Sequence, residues 1–328
     1  MTASTEQLGT PNNPPVRRVG VLGAGWIGRQ IAARCALFGL QVTLFDANTE
    51  ALTAARQWID TVSENEWAKL GIEVPQQFYD AWKERIAFSS TSESEADDLR
   101  DKVAQELDLV IECVPEQIAI KRRVLRQWSR RLPPRCILTS NSSYFTPSVL
   151  ERFVEHPQRF AHLHFHAPVL RDSACDIVRG NHTLPEIVAH LVQFCREIRQ
   201  EPIVLHREHP GYLFNWMLQA MLKAALELHL RGVADIAQID AAWRAVSGMP
   251  VGPFQIMDQI GLDVVEHSLA NARWSDLEPI STESLRRLLE SYTNHGRLGV
   301  KAGSGFYEYH SGETQAQRDP PASPPSTT

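Results

Sequence analysis

The sequence predicts an α/β fold, in which a doubly wound, mainly parallel sheet is followed by a smaller, all-helical C-terminal domain. Between Val16 and Arg207, β-branched apolar runs alternate with helix-like segments, and this alternation is typical of a parallel sheet. From Gly211 onward the pattern changes to long amphipathic helices. The length of 328 residues and an apolar content of 43% are sufficient for two buried cores.

The first predicted strand runs directly into the glycine motif GAGWIG. In such a motif Gly23 permits a tight turn, Gly25 lets the backbone approach a pyrophosphate, and Gly28 lets the next helix pack closely on the strand. Trp26 and Ile27 fill the remaining positions at the start of that helix, where backbone amides face the phosphates. These five residues are therefore candidate cofactor-binding residues.

The segment after the motif completes a Rossmann-type βαβ unit. Apolar spacing predicts a helix over 26–37 and a second strand over 41–45. Asp46 closes that strand, 23 residues after Gly23, where a carboxylate can accept hydrogen bonds from the adenosine ribose and repel a 2′-phosphate. The predicted cofactor is therefore NAD rather than NADP.

The remaining pattern sets the predicted domain boundaries. Further strands are predicted over 107–113, 136–140, 159–164 and 202–205, and long helices over 212–231, 236–246 and 281–292. We predict a NAD-binding domain over 16–207 with a helical excursion at about 50–84, and a helical substrate and dimerisation domain over 208–310. The polar tails, 1–15 and 311–328, are predicted to be disordered.

Composition excludes several classes of function. The net charge of −6 and the isoelectric point near 6.1 provide no basic surplus for binding nucleic acid. Five scattered cysteines without CxxC spacing argue against a disulfide framework or a zinc site. No segment reaches the roughly 20 apolar residues of a membrane span, and the polar first 16 residues lack a secretory signal. A cytoplasmic enzyme without a membrane partner is therefore expected.

The segment IECVPEQIAIK is the first of two further candidate sites. Its strand ends near Pro115, so Glu116 and Lys121 are expected beside the ligand crevice at the carboxyl edge of the sheet. A solvated ion pair on a loop is the alternative interpretation.

The second candidate site combines SNSS with HLHFHAP. Strand alternation places His162, His164 and His166 on one face, which suggests either a metal site or a single catalytic histidine. No neighbouring carboxylate pair or thiol completes a ligand set, so no metal is predicted. Asp176, 12 residues after His164, is the candidate partner for a histidine that acts as a general base.

These motifs occur in an order that resembles the short-chain L-3-hydroxyacyl-CoA dehydrogenase family. The likeness extends over 17–309 and rests on GAGWIG, IECVPEQIAIK, SNSS, HLHFHAPV, HPGYLFNWML, DIAQIDAAWRAVSGMPVGPFQIMDQIGLD and GRLGVKAGSGFYEY. By this resemblance His164 corresponds to the catalytic histidine of the HFFNP motif and Ser143 to the serine of NTSS. It likewise matches Asn215 to the asparagine of PGFIVN, and Glu116 and Lys121 to the cofactor-side pair.

The resemblance implies an NAD-dependent oxidoreductase that interconverts a 3-hydroxyacyl thioester and its 3-keto form. His164 would take the hydroxyl proton while hydride moves to NAD, and Ser143 and Asn215 would hold the reacting oxygen. Asp176 would favour the imidazolium by raising the pKa of His164. A homodimer formed through the helical domain is also implied.

Departures from the family pattern leave the substrate open. Asp176 is one methylene shorter than the usual glutamate, and His166 and Ala167 replace a phenylalanine and an asparagine. The segment 60–82 carries five acidic residues against Lys69 alone, which is unfavourable for the 3′-phosphate of CoA. The alternatives are a carrier-protein-bound acyl group, a small free hydroxy acid as in the carnitine and gulonate dehydrogenases, and a non-catalytic NAD-binding protein comparable to a lens crystallin.

Overall fold

A computed structural model describes residues 15–61, 81–91, 97–170, 174–271 and 282–309. The chain divides into two compact units, Met1–Tyr212 and Leu213–Thr328. The predicted tails, apart from Pro15, and most of the predicted helical excursion, residues 62–80, lie outside the described residues.

The first unit is built on one eight-stranded sheet. Its strands are β1 (Arg18–Leu22), β2 (Gln41–Asp46), β3 (Ile86–Ser90), β4 (Leu109–Glu112), β5 (Ile137–Ser140), β6 (Phe160–Phe165), β7 (Ala174–Arg179) and β8 (Glu201–Leu205). Their order is β3-β2-β1-β4-β5-β6-β7-β8. Strands β1 to β6 are parallel, and the direction reverses between β6 and β7.

Helices cover both faces of this sheet. They are α1 (Trp26–Leu37), α2 (Thr49–Thr61), α3 (Asp97–Glu106), α4 (Ile118–Arg131), α5 (Pro147–Leu150) and α6 (Pro185–Glu197). Helices α1, α2 and α6 contribute to one buried apolar cluster, whereas α4 contributes Leu125 and Trp128 to another. Because both faces are covered, the inner strands β4, β5 and β6 are buried along their whole length rather than at alternate residues.

The structure contains two strands that the sequence pattern did not predict. Strand β3 is at the edge of the sheet and ends in two serines, so its apolar signal is weak. Strand β7 carries Asp176 between apolar residues and runs antiparallel to β6. It therefore does not follow the alternation of strands and helices from which the parallel strands were predicted. The predicted helix over 26–37 is confirmed, and β6 ends at Phe165, one residue before His166.

The second unit is helical. Its helices are α7 (Phe214–Leu230), α8 (Ile236–Ser247), α9 (Pro253–Ile260), α10 (Leu262–Asn271) and α11 (Thr282–Thr293). They pack around an apolar cluster that includes Leu226, Phe254 and Phe306. Among the described residues, no helix combines the length and the apolar character needed to cross a bilayer. A doubly wound sheet followed by a helical unit confirms the predicted fold class.

Buried carboxylates hold the last segment of the helical unit in place. Asp258 accepts hydrogen bonds from the backbone amides of Phe306 (2.8 Å) and Tyr307 (3.0 Å) and from the Tyr309 hydroxyl (2.5 Å). Asp240 accepts from the Phe254 amide (2.9 Å) and the Tyr307 hydroxyl (2.9 Å), among other donors. The segment after α11 is therefore fixed to α8 and α9 by hydrogen bonds from neutral groups.

Candidate active site

The carboxyl edge of the parallel strands brings the predicted site residues of the first unit together. The strand β1 leads to Gly23, β2 ends at Asp46, β4 ends at Glu112, β5 leads to Ser143, and β6 carries His164 near its end. Neighbouring parallel strands end at the same edge of a sheet, which is where ligands bind in open α/β folds.

The glycine loop has the backbone geometry that a dinucleotide requires. A Cβ atom on Gly28 would lie 1.8 Å from the carbonyl oxygen of Gly23, so helix α1 can approach β1 only because this position is glycine. A Cβ on Gly25 would meet no atom within 4 Å, which leaves open space beside the amino end of α1. That space is where a pyrophosphate would lie.

The side chains around this loop also fit NAD. Asp46 Oδ2 accepts a hydrogen bond from the Ala24 amide (2.7 Å), and its Oδ1 accepts one from the Asn48 amide (2.8 Å). The carboxylate is thus fixed beside the glycine loop with further lone pairs available for ribose hydroxyls. Ile27 packs against the apolar core, whereas Trp26 is 55% exposed and lies edge-on to Trp58.

Lys121 is the buried centre of an ionic cluster. Its Nζ lies 2.8 Å from Glu112 Oε1 and 3.1 Å from Glu116 Oε2, and the Ser140 hydroxyl donates to Glu112 Oε2 (2.6 Å). Burial lowers the pKa of Lys121, but Glu112 and Glu116 outweigh it and hold that pKa above its ordinary value. Lys121 lies in α4 and is buried, whereas Glu116 lies on the preceding loop with 37% of its side chain exposed, so the interpretation as a solvated loop pair is wrong for Lys121.

Glu116 links the ionic cluster to the loop after β5. Its Oε1 accepts hydrogen bonds from the Ser142 hydroxyl and from the Tyr144 amide (2.9 Å). Burial raises the pKa of Glu116, but Lys121 and these donors together keep it below its ordinary value. The ionised carboxylate therefore fixes the backbone immediately around Ser143.

His164 lies between Ser143 and Asp176. Its Nδ1 is 3.2 Å from Asp176 Oδ2, and its Nε2 is 3.1 Å from the Ser143 hydroxyl oxygen. Asp176 can only accept, so Nδ1 carries the proton and Nε2 presents its lone pair to Ser143. The histidine is thereby oriented with a free base at Nε2.

Strand pairing explains how a short aspartate reaches His164. Residues His164 and Asp176 are directly opposite each other in the antiparallel pairing of β6 with β7, which places their Cβ atoms about 5 Å apart. Asp176 is buried, as is His164. The cross-strand register therefore compensates for the methylene that separates aspartate from glutamate.

A second imidazole shares the same carboxylate. His166 Nε2 donates to Asp176 Oδ2 at 2.8 Å, and the His164 and His166 rings are 4.8 Å apart in an edge-on arrangement. Burial raises the pKa of Asp176, but its hydrogen bonds to His164 and His166 hold it below its ordinary value. Asp176 is therefore ionised between two imidazoles.

Asp176 acts on His164 in the predicted direction, but burial outweighs it. Burial is the largest cause and lowers the pKa of His164, whereas the hydrogen bond with Asp176 and the charge of that carboxylate raise it. The neighbouring His166 also lowers this pKa, and the net shift is downward. His164 is therefore held in the neutral form that can accept a proton.

His162, the third histidine, has a separate environment. Its Nδ1 is 2.7 Å from the Tyr212 hydroxyl, which donates in turn to the Ser142 carbonyl. The Tyr212 ring also lies 4.9 Å from that of His164. Tyr212 has a left-handed backbone conformation (φ 53°), which is uncommon for a bulky residue. Its ring and hydroxyl contact His164, His162 and the Ser142 carbonyl.

Sequence reasoning assigned no role to Glu112, Ser142 or Tyr212, and it did not pair His166 with Asp176. An acidic residue inside the apolar strand IEC was a signal for Glu112, because a buried carboxylate requires a partner. Asn215, which was predicted, is the half-buried second residue of α7 in the other unit.

Comparisons with protein families cover both units. Residues 18–209 match the 3-hydroxyacyl-CoA dehydrogenase NAD binding domain, and residues 211–309 match the 3-hydroxyacyl-CoA dehydrogenase C-terminal domain. Among curated relatives, hydroxyacyl-coenzyme A dehydrogenase of Mus musculus mitochondria is 28% identical and aligns over 90% of this chain and 91% of the relative. The 5-formyl-3-hydroxy-2-methylpyridine 4-carboxylate 5-dehydrogenase of Mesorhizobium japonicum is 30% identical, with coverages of 92% and 93%.

Solved structures also align with most of this chain. A diketoreductase structure has a TM-score of 0.77 at 32% identity and covers 90% of this chain and 100% of its own. The (S)-3-hydroxybutyryl-CoA dehydrogenase of Ralstonia eutropha has a TM-score of 0.76 at 26% identity, with coverages of 90% and 99%.

Proposed function

The chain belongs to the 3-hydroxyacyl-CoA dehydrogenase family and is an NAD-dependent oxidoreductase of a small molecule, and we propose His164 as its general base. Its substrate pair in this proposal is a 3-hydroxyacyl thioester, with CoA as the carrier, and the corresponding 3-keto thioester. The observation that carries the proposal is the chain of contacts from Ser143 through His164 to Asp176. This arrangement leaves a lone pair on a neutral imidazole beside a hydroxyl-binding group.

The proposed reaction uses His164 Nε2 as the proton acceptor. The substrate hydroxyl takes a place near the Ser143 oxygen, and its proton moves to Nε2. The glycine loop would hold NAD, whose nicotinamide would supply the acceptor for the C3 hydride. The resulting imidazolium has two N–H groups, of which Nδ1–H remains hydrogen-bonded to the Asp176 carboxylate and is stabilised by its charge.

We assign positioning roles to the neighbouring side chains. Ser143 holds the reacting oxygen, and Asn215 is proposed to do the same from the helical unit. Glu116 and Lys121 fix the loop that carries Ser143 through the Ser142 and Tyr144 contacts. Rigid positioning of this kind is a large part of what an enzyme adds to a cofactor's own chemistry.

Cofactor binding is assigned to the glycine loop and Asp46. Gly23, Gly25 and Gly28 form the backbone cradle, and the amides at Trp26 and Ile27 begin the helix that faces the pyrophosphate. Asp46 is the proposed ligand of the adenosine ribose. Its fixed position against Ala24 supports this role.

The alternative substrate is a small molecule without a CoA carrier. Two relatives at 30% and 32% identity have names that contain no CoA, the pyridine carboxylate dehydrogenase and the diketoreductase. The rearranged polarity beside His164, where His166 contacts Asp176, also favours this alternative. A carrier-protein-bound acyl group would use the same chemistry.

One assay tests the CoA proposal against this alternative. Acetoacetyl-CoA is mixed with NADH and the enzyme, and NADH absorbance is followed, with free acetoacetate as the matched reaction that lacks the carrier. Oxidation with the thioester and not with the free acid supports the proposal. No oxidation of NADH with acetoacetyl-CoA at any practical enzyme concentration would exclude it.

We also propose a cytoplasmic homodimer. All five cysteines are free thiols, which is typical of a reducing compartment. The helical unit exposes large apolar side chains, including Met217 (62%), Val233 (64%) and Val246 (90%), which a second copy of the chain would cover. Light scattering is expected to give twice the mass of the chain, and a monomer would contradict the dimer.

A further inference from the structure

Three metal-ligating side chains meet at the end of β6. One ligand atom from each of His164, His166 and Asp176 lies within 4.8 Å of the other two. All three side chains are largely buried, with exposed fractions of 5%, 15% and 3%. Because it is buried, the cluster differs from acidic groups at a surface, whose charge is screened by water and salt.

The spacing of the three groups suits a tetrahedral ion. Zinc binds histidine nitrogen and carboxylate oxygen at about 2.0–2.2 Å, so adjacent ligand atoms around it are about 3.3 Å apart. Asp176 Oδ2 lies 3.2 Å from His164 Nδ1 and 2.8 Å from His166 Nε2. Every separation is within 4.8 Å, so shifts of no more than about 1.5 Å would complete the ligand geometry.

The donor set selects the class of metal. Two imidazoles and one carboxylate suit Zn²⁺ and similar transition metals, whereas Mg²⁺ and Ca²⁺ prefer oxygen ligands alone. We propose that His164, His166 and Asp176 bind a divalent transition metal such as Zn²⁺, and that the bound ion reversibly inhibits the dehydrogenase. This proposal replaces the sequence expectation of no metal, because the strand pairing that places Asp176 opposite His164 is not visible in the sequence.

Inhibition follows from the position of a single proton. In the metal-free site Nδ1 of His164 carries the proton and Nε2 is the free base. A metal on Nδ1 requires a lone pair there, so the ring's proton moves to Nε2. His166 Nε2, which donates to Asp176 in the metal-free site, likewise binds the ion through a lone pair, so the proton of that ring moves to its Nδ1. His164 can then donate to Ser143 but can no longer accept the proton of a substrate hydroxyl.

The surroundings support both binding and entry of the ion. With the proton on Nε2, the Ser143 hydroxyl at 3.1 Å becomes the acceptor that fixes the metal-binding form of the ring. Metal-ligating histidines commonly have such a partner on the other ring nitrogen. His166, the most exposed of the three ligands, lies on the side from which an ion can enter.

Equilibrium dialysis of the full chain without a tag tests the binding site in the absence of substrate. We expect about one Zn²⁺ per chain, and at least a tenfold weaker affinity after His166→Phe. His182→Phe is the matched control, because His182 also contacts a carboxylate, Glu151 at 3.3 Å, but is 65% exposed. Unchanged affinity in His166→Phe, or no zinc bound by the wild type, overturns the proposal.

A second variant and a second measurement guard against misfolding. His166→Gln keeps a side-chain donor for Asp176 but replaces a good zinc ligand with a poor one, and circular dichroism verifies its fold. Cobalt substituted for zinc should give the visible absorbance of a tetrahedral site in the wild type. The absence of that absorbance would contradict tetrahedral binding, and its persistence in His166→Gln would contradict the ligand assignment.

The inhibitory effect rests on the proposed role of His164 as the base, whereas binding does not. Micromolar Zn²⁺ is expected to abolish turnover, a chelator to restore it, and saturating NAD to leave the inhibition unchanged. Zinc that binds in dialysis without inhibiting would contradict inhibition and the role of His164 while leaving the metal site intact. Inhibition that His166→Phe does not relieve would place the inhibitory ion elsewhere.

Discussion

Buried carboxylates serve different purposes in the two units. In the α/β unit Asp176 faces His164 and His166, and Glu112 faces Lys121, so each acid has an ionisable partner. In the helical unit Asp258 receives hydrogen bonds from backbone amides and a tyrosine hydroxyl. A carboxylate opposite an ionisable group can take part in proton transfer, whereas one opposite neutral donors stabilises the chain.

Replacing His164 by glutamine should have the largest effect, because it removes the proposed proton acceptor. We expect turnover to fall by about 100- to 10,000-fold, with NAD affinity unchanged. Steady-state kinetics and NAD titration provide the measurements, and His156→Gln at an exposed position is the control. A variant with wild-type turnover would contradict the role of His164, and a wild-type protein that binds NAD without turning over any substrate would favour a crystallin-like binding protein.

Asp176→Asn tests whether the shared carboxylate contributes to the reaction. Asparagine keeps the shape but removes the charge that stabilises the imidazolium, so turnover should fall at least tenfold, or ~1.4 kcal/mol in barrier height. Asp101→Asn, on the surface beside Arg131, is the control. A smaller loss would assign the orientation of His164 to another group.

Asp258→Ala tests the stabilising use of a buried acid. It leaves the amides of Phe306 and Tyr307 and the Tyr309 hydroxyl without an acceptor, and we expect about 3 kcal/mol of lost stability. Urea unfolding measures the change, and NAD affinity should remain that of the wild type. A change below about 0.5 kcal/mol would show that these hydrogen bonds contribute little.

The raised pKa of Asp258 predicts that the stability of the protein depends on pH. Burial, the largest cause, raises the pKa of Asp258 from 3.8 to about 6, so the folded chain holds a proton that the unfolded chain has released between about pH 4 and pH 6. The stability from this group is present below about pH 4 and is lost as the pH rises through about 6. The wild type should therefore lose more stability than Asp258→Ala over this interval, and parallel pH curves would contradict the assignment.

Asp46→Ala should have the smallest effect, since this carboxylate is only half-buried and acts on a ligand rather than within a core. Loss of its charge should narrow the preference for NAD over NADP by about tenfold, on the scale of one screened charge interaction. The ratio of kcat/KM for the two cofactors measures this change. An unaltered ratio would remove Asp46 from the ribose site.

The parts of the site that lie within one short stretch of sequence could be predicted, whereas the parts formed by contacts between distant segments could not. The glycine loop, helix α1 and Asp46 lie within one continuous βαβ unit, and sequence spacing was sufficient to place them. The reversal of β7 was not visible in the sequence, although it determines which residue is opposite His164. Asp176 was identified by its short spacing from His164, whereas the shared contact with His166 and the contacts of Glu112 and Tyr212 required distances between chain segments.

The helical unit shows the same limit of prediction from sequence, here for the fold. Helices α7, α8 and α11 were predicted from their apolar spacing, but α9 and α10 are short and separated by Gly261 alone. The importance of Asp240 and Asp258 was also missed. A carboxylate inside an amphipathic helix resembles a solvated residue until the segment that binds it is known.

The antiparallel pairing of His164 with Asp176 has an evolutionary consequence. Side chains alternate between the faces of a sheet, so inserting or deleting one residue within β6 or β7 would turn one partner away from the other. Activity would then be lost although both residues remain in the sequence. Homologues that retain the histidine and the acid but differ in strand length should therefore be judged by their register, because identity at the two positions does not preserve the pair.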